Sequence, residues 1–366
     1  MANNFCRLLS NGYSFTAQKN KLVTRPCCLY MGQDFPVDEN LIKLKTQQSL
    51  EINDWTHACS QCHQLEQFGQ PSLRQSGPDW ISDIESTFDP VMLDINLDSA
   101  CNAACVTCGS HSSSLWSKEI SKSLGIKRRF VLDQVAIDQH IANIVNSVKL
   151  DKVRYVKFFG GEPLFTDTHC KFLQHLPNPE ITTLHYTTNA SMYPNQQTLQ
   201  LWSRFKCVIV AASLDGIEDQ FDYVRWPLQW SKVSNNLRKI RNNPDINNIL
   251  FRIEFTANFL NTFYFDRLEN WVQENLSTNR QGDATQINIH ACRGGIWNPE
   301  YMPHAVRQAV LDKYVPGHRL HQLVSQLSYV DNLKPWSHFV RQWDTVRKNS
   351  WQEAFPKFAD LHVLNQ

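Results

Sequence analysis

From residue 90 onward, short stretches of apolar or alternating residues are separated by longer stretches whose apolar residues recur every three or four positions. The first pattern is typical of strands and the second of helices, so the chain predicts six strand–helix repeats. The predicted strands are Val91–Asp98, Val153–Phe159, Thr182–Asn189, Val208–Asp215, Ile249–Asn258 and Gln286–Cys292. The predicted helices are Leu132–Val148, Asp167–His175, Asn195–Phe205, Trp230–Arg241 and Asp266–Leu276. This alternation indicates an α/β fold with parallel strands, in an open sheet or a partial barrel.

Polar residues recur at every second position in several of these strands. They are Asp94, Asn96 and Asp98; His185, Thr187 and Asn189; Arg252, Glu254, Thr256 and Asn258; and Gln286, Asn288, His290 and Cys292. Side chains two positions apart share one face of a strand, so each strand has an apolar and a polar face. An antiparallel sheet with one solvated face is the simpler explanation. The intervening helices favour a barrel with a polar interior instead.

The two ends of the chain differ from this middle part. Residues 1–89 contain five cysteines, lack helical periodicity and end near a linker-like segment, Ser72–Pro78. Beyond Cys292 the pattern predicts helices over Pro303–Tyr314 and Arg319–Leu327. We therefore predict three regions: a Cys-rich module over 1–89, the repeats over 90–297 and a C-terminal helical extension over 298–366.

Composition excludes several protein classes. Of the 366 residues, 42% are apolar and 19% charged, which excludes a largely disordered chain. Lys and Arg total 36 against 35 for Asp and Glu, and this balance disfavours a dedicated nucleic-acid binder. The longest apolar run, Cys207–Ala212, is too short for a membrane helix, and the N-terminus lacks the pattern of a secretory signal. We expect a cytoplasmic protein that does not contact membranes.

The 11 cysteines indicate metal binding, because their number is odd and no export signal is visible. Cys101, Cys105 and Cys108 form a C-x3-C-x2-C motif directly after the first repeat strand. Three thiolates at this spacing can hold a [4Fe–4S] cluster and leave its fourth iron without a protein ligand. A zinc site with His111 as the fourth ligand is the alternative.

A second motif, Phe159-Gly160-Gly161-Glu162-Pro163, follows the second repeat strand. Paired glycines allow a backbone to approach a ligand closely, and a carboxylate accepts hydrogen bonds from an ammonium group. The two motifs therefore indicate neighbouring active-site loops at the C-terminal ends of adjacent strands.

In these motifs and their order, residues 90–297 resemble the radical S-adenosylmethionine (SAM) enzymes, which implies a partial (β/α)6 barrel. The resemblance implies that Cys101, Cys105 and Cys108 bind a [4Fe–4S] cluster. Thr107 stands where the family usually has an aromatic residue. The residues that the resemblance implies for SAM binding are Gly160, Gly161, Glu162, Pro163, Asn189, Ser213, Asp215 and Arg225. Plainer alternatives are a strand-ending turn for Ser213 and Asp215, a structural salt bridge for Arg225 and a helix cap for Asn189.

The N-terminal region resembles the SPASM and twitch modules, which carry an auxiliary iron–sulfur cluster. The resemblance is carried by Cys59-Ser60-Gln61-Cys62 and by Glu66, Gly69, Ser72 and Arg74 downstream. It implies Cys6, Cys27, Cys59 and Cys62 as ligands, with Cys28 as an alternative to Cys27. A zinc site with four thiolate ligands is the other possibility. In most such enzymes the module follows the barrel, whereas here it precedes it. Cys170, Cys207 and Cys292 are expected to be ordinary buried residues, with Cys292 on the polar face.

The resemblance implies reductive cleavage of SAM at the cluster and a 5′-deoxyadenosyl radical that takes a hydrogen atom from a substrate. By analogy we expect a peptide or protein side chain as the substrate, and an electron donor such as flavodoxin or ferredoxin. Modification of a small molecule or nucleoside is the alternative, and a non-catalytic zinc protein that binds a partner is the alternative of another class. Candidate substrate contacts are Arg252, Glu254, Asn288, His290 and Cys292.

Overall fold

The computed structural model describes residues 6–18, 21–32, 39–55, 57–67, 72–75, 90–125, 133–277, 284–292, 296–328 and 334–361. Its strands are β1 (Gly12–Gln18), β2 (Lys21–Arg25), β3 (Met92–Asn96), β4 (Tyr155–Phe158), β5 (Thr183–Thr188), β6 (Cys207–Ser213), β7 (Ile249–Ala257) and β8 (Gln286–Ala291). Its α-helices are α1 (Arg7–Asn11), α2 (Glu39–Glu51), α3 (Ser60–Gln67), α4 (Ser121–Leu124), α5 (Gln134–Ser147), α6 (Thr168–Leu173), α7 (Gln196–Trp202), α8 (Glu218–Val224), α9 (Trp230–Asn242), α10 (Phe265–Leu276), α11 (His304–Lys313), α12 (Arg319–Gln326), α13 (Lys334–Arg347), α14 (Trp351–Ala354) and α15 (Pro356–Asp360).

The strands form one eight-stranded sheet in the order β2-β1-β3-β4-β5-β6-β7-β8. The pairs β1–β3, β3–β4, β4–β5 and β7–β8 are parallel, whereas the β1–β2 pair is antiparallel. The predicted α/β class with parallel strands is therefore confirmed. All six predicted repeat strands and the five helices between them are present, with ends that differ from the predicted ones by at most three residues.

The N-terminal region, whose sequence lacks helical periodicity, nevertheless contains the 13-residue helix α2. Among the residues of α2 whose side chains the structure describes, 43–51, the buried ones are Lys43, Thr46, Gln47 and Leu50, which have helical spacing. Three of these four residues are polar, so a search for periodic apolar residues does not detect the helix. The strand β1 also pairs with β3, in the register Gly12 to Met92, and thereby extends the main sheet.

The chain divides into two compact units, each made of several segments. The first consists of Met1–Ser99, Phe130–Tyr186 and Gln200–Val208, and the second of Ala100–Arg129, Thr187–Leu199 and Ile209–Gln366. In the core of the first unit, the ring of Tyr186 lies between those of Phe158 and Trp202, at centroid distances of 5.1 and 5.0 Å. In the second unit, Trp230 packs against Phe221 and Trp271, at 5.4 and 4.8 Å.

The period-two pattern of β7 is confirmed by its burial, because buried apolar residues alternate with half-buried ones along the whole strand, and the half-buried positions are Leu250, Arg252, Glu254 and Thr256. In β3 and β5 the polar residues Asp94 and His185 are buried as well. Among the helices in the described ranges, none combines the length and the apolar composition that a membrane span requires.

Candidate functional site

The loop over residues 101–108, which we call the cysteine loop, follows β3 and has a well-defined backbone. Ala104 N donates to the carbonyl of Trp226 at 2.7 Å, and Val106 N donates to that of Val224 at 2.8 Å. Cys101 N donates to Ser114 Oγ at 3.0 Å. The middle of the cysteine loop is therefore fixed by two backbone hydrogen bonds to residues at and just after the end of α8.

The thiols of Cys105 and Cys108 lie close enough to influence each other. Cys105 is buried, Cys101 and Cys108 are half-buried, and Cys108 N donates to Cys105 O at 3.1 Å in a tight turn. Burial, with the neighbouring Cys105 adding to it, raises the pKa of Cys108 to about 11. Metals bind the thiolate form, so a metal or cluster bound by these thiols would have to displace their protons. Sulfur donors in a buried loop at this spacing fit a [4Fe–4S] cluster.

Arg225 places a positive charge beside these thiols. Its Nη2 lies 2.8 Å from Asp215 Oδ2, and its Nη1 lies 3.9 Å from Cys105 Sγ. Burial opposes the charge of Arg225, but Asp215 and Cys105 outweigh burial and raise its pKa. The other oxygen of Asp215 accepts a hydrogen bond from Thr256 N at 2.8 Å. Arg225 therefore forms a structural salt bridge, as in the plainer of the two interpretations of this residue. The salt bridge holds its guanidinium against the cysteine loop.

The described ranges do not contain a preformed site for a single metal ion. There, no three His, Cys, Asp or Glu side chains converge as ligands of one ion. In a four-iron cluster each thiolate binds a different iron, so its cysteines do not converge on one point. His111, the alternative zinc ligand, has an exposed side chain.

Asn189, at the end of β5, contacts the cysteine loop. Its Nδ2 donates to Asn102 Oδ1 at 3.0 Å, and its Oδ1 accepts from Ser191 N at 2.9 Å. Asn102 Nδ2 in turn donates to Ser191 Oγ at 2.8 Å. The side chain that caps α7 is Asn195, whose Oδ1 accepts from Thr198 N at 2.8 Å. Asn189 thus positions the cysteine loop and does not cap the helix.

The Gly160–Pro163 segment follows β4 and is tied to the residues after β3. Gly161 N donates to Asp98 O at 3.2 Å. Gly160 has a φ of 121°, and a Cβ at this position would overlap the side chain of Asn96. Glu162 is buried, and its Oε1 accepts from Leu164 N at 3.1 Å. The close contact with Asn96 of β3 therefore by itself favours glycine at position 160.

Three other predicted residues lie at strand ends. Ser213 is the last residue of β6 and is half-buried, and Asp215 is fully buried two positions later. Cys292 is buried just after β8, as predicted, and its N donates to Ala257 O at 2.8 Å. Burial, with the charge of Asp215 adding to it, raises the pKa of Cys292 to about 11. Cys292 therefore lies near the Arg225–Asp215 pair.

Several of the N-terminal cysteines influence one another, and Cys28 differs from the others in its hydrogen-bond partner. Burial raises the pKa of Cys6 to about 11, and Cys62 contributes to this increase. Burial also raises the pKa of Cys27, with Cys6 and Cys62 among the contributors, and Cys27 and Cys59 both influence Tyr30. The thiol of Cys28, in contrast, is hydrogen-bonded to Asp94 on β3.

The polar residues that follow Cys62 form a compact group. Glu66 accepts hydrogen bonds from Ser72 Oγ at 2.5 Å and from Arg74 Nε at 3.0 Å. The charge of Arg74 favours the thiolate of Cys6, so this guanidinium lies near the cysteine group. Gly69, the other member of the motif, is outside the described residues.

The candidate substrate contacts are partly linked to one another. Glu254 on β7 accepts hydrogen bonds from Asn288 Nδ2 at 2.9 Å and from His290 Nε2 at 2.6 Å on β8. His290 is exposed, whereas Arg252 and Asn288 are half-buried. Of the three cysteines expected to be ordinary buried residues, Cys170 and Cys292 are buried, whereas Cys207 is only half-buried.

Sequence reasoning missed Arg347, whose guanidinium donates to the carbonyl of Ala104 in the cysteine loop. The two residues are 243 positions apart. No local signal distinguishes this arginine from the exposed arginines of the same C-terminal region, so only the tertiary structure identifies it.

Comparison with solved structures finds distant similarities. A structure of native anSMEcpe with bound AdoMet aligns over 54% of this chain and 50% of its own, at 16% identity and a TM-score of 0.37. Streptococcus suis SuiB bound to S-adenosylmethionine aligns over 91% of this chain and 76% of its own, at 12% identity and a TM-score of 0.41. SuiB bound to its precursor peptide SuiA has a TM-score of 0.38. The first of these alignments therefore spans only half of the other protein, and no likeness at these scores defines an activity for this chain. No protein-family model and no curated protein matches the sequence.

Proposed function

We propose that this chain is a radical SAM enzyme whose cluster is held by Cys101, Cys105 and Cys108. The observation that supports this most is the grouping of two of these thiols with a buried arginine in the loop after β3. Three thiolates leave one iron of a [4Fe–4S] cluster available to a cofactor. When bound, the cluster and SAM supply the redox chemistry: reductive cleavage to methionine and a 5′-deoxyadenosyl radical that removes a hydrogen atom from the substrate.

The residues of the chain supply position and electrostatics. Arg225, fixed by Asp215, holds a positive charge beside the thiolates, which stabilises them in a buried loop. Asn189 orders the same loop through Asn102. The residues proposed to contact SAM are Gly160, Gly161, Glu162, Pro163, Asn189, Ser213, Asp215 and Arg225.

A second cluster is proposed at Cys6, Cys27, Cys59 and Cys62. The mutual influence of three of these thiols and the nearby Arg74 support it, because a cation favours thiolate ligands. An external one-electron donor of the flavodoxin or ferredoxin type would supply the electrons.

The substrate is proposed to be a peptide or protein side chain. Glu254, Asn288 and His290 form a hydrogen-bonded polar group on β7 and β8, and such groups suit the amides and hydroxyls of a peptide. A small molecule or nucleoside is the alternative within the same class of enzyme.

The proposal is tested by anaerobic reconstitution with iron and sulfide, followed by SAM and dithionite. We expect 5′-deoxyadenosine and methionine from the wild-type protein and from the control variant Cys207→Ala, which removes a half-buried cysteine outside the motif. The variant C101A/C105A/C108A should form neither product. Absence of 5′-deoxyadenosine from the wild-type protein, with zinc in place of iron by metal analysis, would contradict the proposal and favour a non-catalytic metalloprotein.

A further inference from the structure

Arg347, the last residue of α13, is buried against the cysteine loop. Only 5% of the residue is exposed. Its Nη2 donates to Ala104 O, one position before Cys105, and its Nη1 donates to Tyr223 O at 3.5 Å. The C-terminal extension therefore contacts the backbone next to a predicted cluster ligand.

Aromatic rings enclose the Arg347 guanidinium. Its Cζ lies 3.9 Å from the ring centroid of Trp343 and 5.0 Å from that of Trp226. Trp343 and Trp226 belong to a hydrophobic cluster that also contains Ala104 and Trp116. Cation–π contact stabilises a guanidinium in a dry environment without neutralising its charge.

The carboxylate of Asp344 lies near Arg347 and its charge favours the protonated guanidinium, but the two groups do not form an ion pair. In the described part of the chain Arg347 has no ion pair, and its Nε has no hydrogen-bond partner. The carboxylate of Asp344, one helical turn earlier, accepts instead from Tyr223 Oη at 2.9 Å and from Trp351 N at 3.2 Å. Arg225 differs in this respect, because Asp215 is its direct partner.

Arg347 remains charged at neutral pH. Burial lowers its pKa to about 9, and Tyr223 and Cys105 are among the groups that oppose this decrease. A pKa near 9 keeps more than nine tenths of the group protonated at pH 7.

We propose that Arg347 is a positioning residue that makes the cluster at Cys101, Cys105 and Cys108 easier to reduce. This inference rests on the proposed function. Reduction transfers one electron from an external donor to the cluster and increases its negative charge, and a buried cation stabilises the reduced form more than the oxidised form. The same charge at an exposed position would be screened by water and salt. The midpoint potential should therefore depend on the charge of residue 347.

The test is an EPR-monitored redox titration of reconstituted full-length protein, in which the cluster of interest is recognised by the change that SAM causes in its signal. Arg347→Gln removes the charge and keeps an amide donor, and we expect a more negative midpoint potential at wild-type iron content. Arg347→Lys keeps the charge and should retain the wild-type potential. Arg341→Gln, an exposed residue of the same helix, is the matched control and should not change it.

A wild-type potential in iron-replete R347Q would overturn the inference, as would an equal shift in R341Q. If R347Q loses its iron, the R347K variant provides the test instead. An R347K protein with full iron content and the wild-type midpoint potential supports the inference. Loss of iron from R347K, or a more negative potential in it, would mean that Arg347 has a purely structural role and would overturn the inference. A wild-type protein without any SAM-sensitive cluster signal would refute the proposed function itself, which a negative result confined to R347Q would not do.

Discussion

At the scale of single residues, two arginines approach the cysteine loop in different ways. Arg225 is balanced by Asp215 and touches Cys105 Sγ, whereas Arg347 is enclosed by tryptophans and touches the backbone of Ala104. The ion pair with Asp215 fixes the Arg225 guanidinium beside Cys105 and offsets part of its charge. A buried cation without a direct ion pair, such as Arg347, produces a field that a neighbouring redox centre experiences.

A comparison of alanine substitutions at Gly160 and Gly317 separates the effect of steric overlap from that of backbone strain. Gly160→Ala combines a φ of 121° with overlap of the new Cβ and Asn96. The matched control is Gly317→Ala, where φ is 108° and no heavy atom lies within 4 Å of the new Cβ. We expect G317A to lower the free energy of unfolding by about 1–2 kcal/mol, the usual cost of positive φ, and G160A to lower it by more.

Urea denaturation of both variants measures the two differences. Equal losses of stability would mean that the contact of Gly160 with Asn96 does not restrict this position. If G160A loses more stability than G317A, and G317A loses no more than the cost of backbone strain, the segment after β4 packs against β3 as described.

At the scale of elements, the packing of α6 against β5 makes the stability of the fold sensitive to acid. His169 on α6 is buried, and its Nδ1 lies 3.0 Å from Tyr186 Oη on β5. Burial lowers the pKa of His169 to about 4. Between the ordinary histidine pKa near 6.5 and pH 4, the unfolded chain therefore binds a proton that the folded chain does not, so stability falls as the pH falls.

We expect this one proton to contribute roughly 1.4 kcal/mol per pH unit to the loss of stability over that interval. His169→Asn should reduce the pH dependence of the free energy of unfolding by about this amount, measured by urea titration at pH 7.5 and pH 5. Burial also lowers the pKa of His140, so the H169N variant should keep part of the pH dependence of the free energy of unfolding. His175→Asn, with an exposed side chain just after α6, serves as the control. An unchanged slope in H169N would contradict the assignment.

The elements also indicate how far local patterns predict this fold. Alternating burial along β7 follows directly from its alternating residues, and the strand was predicted to within one residue of its end. The helix α2 was missed because its buried face contains Lys43, Thr46 and Gln47, and Gln47 Oε1 accepts a hydrogen bond from Cys6 N at 3.0 Å. A polar face that is buried through specific hydrogen bonds has no periodic apolar signature.

At the scale of the whole molecule, the two cysteine groups are expected to bind iron independently. In the C101A/C105A/C108A variant we expect iron to remain at the N-terminal group. Adding Cys27→Ala should remove it, whereas adding Cys28→Ala should not, because the thiol of Cys28 faces Asp94. Iron and zinc analysis after anaerobic reconstitution measures each outcome.

The pair of neighbouring cysteines makes this comparison specific, since C28A is a matched control for C27A. Loss of all iron in the triple variant would refute the second cluster. Zinc in place of iron would assign the N-terminal group to a structural zinc site, and equal effects of C27A and C28A would contradict the assignment of Cys27.

The sequence by itself determined the alternation of strands and helices, the C-x3-C-x2-C loop after the first repeat strand and the glycine segment after the second, because each is encoded by residues close together in the chain. Only the tertiary structure decided that the thiol of Cys28 bonds to Asp94 while Cys6 and Cys62 act on Cys27, that Asn189 contacts Asn102, and that Arg347 reaches the cysteine loop. These are contacts between residues about 20 to 240 positions apart, selected by packing and hydrogen bonding. Local periodicity carries no information about such partners, because many exposed side chains of the same type occur in the same local patterns.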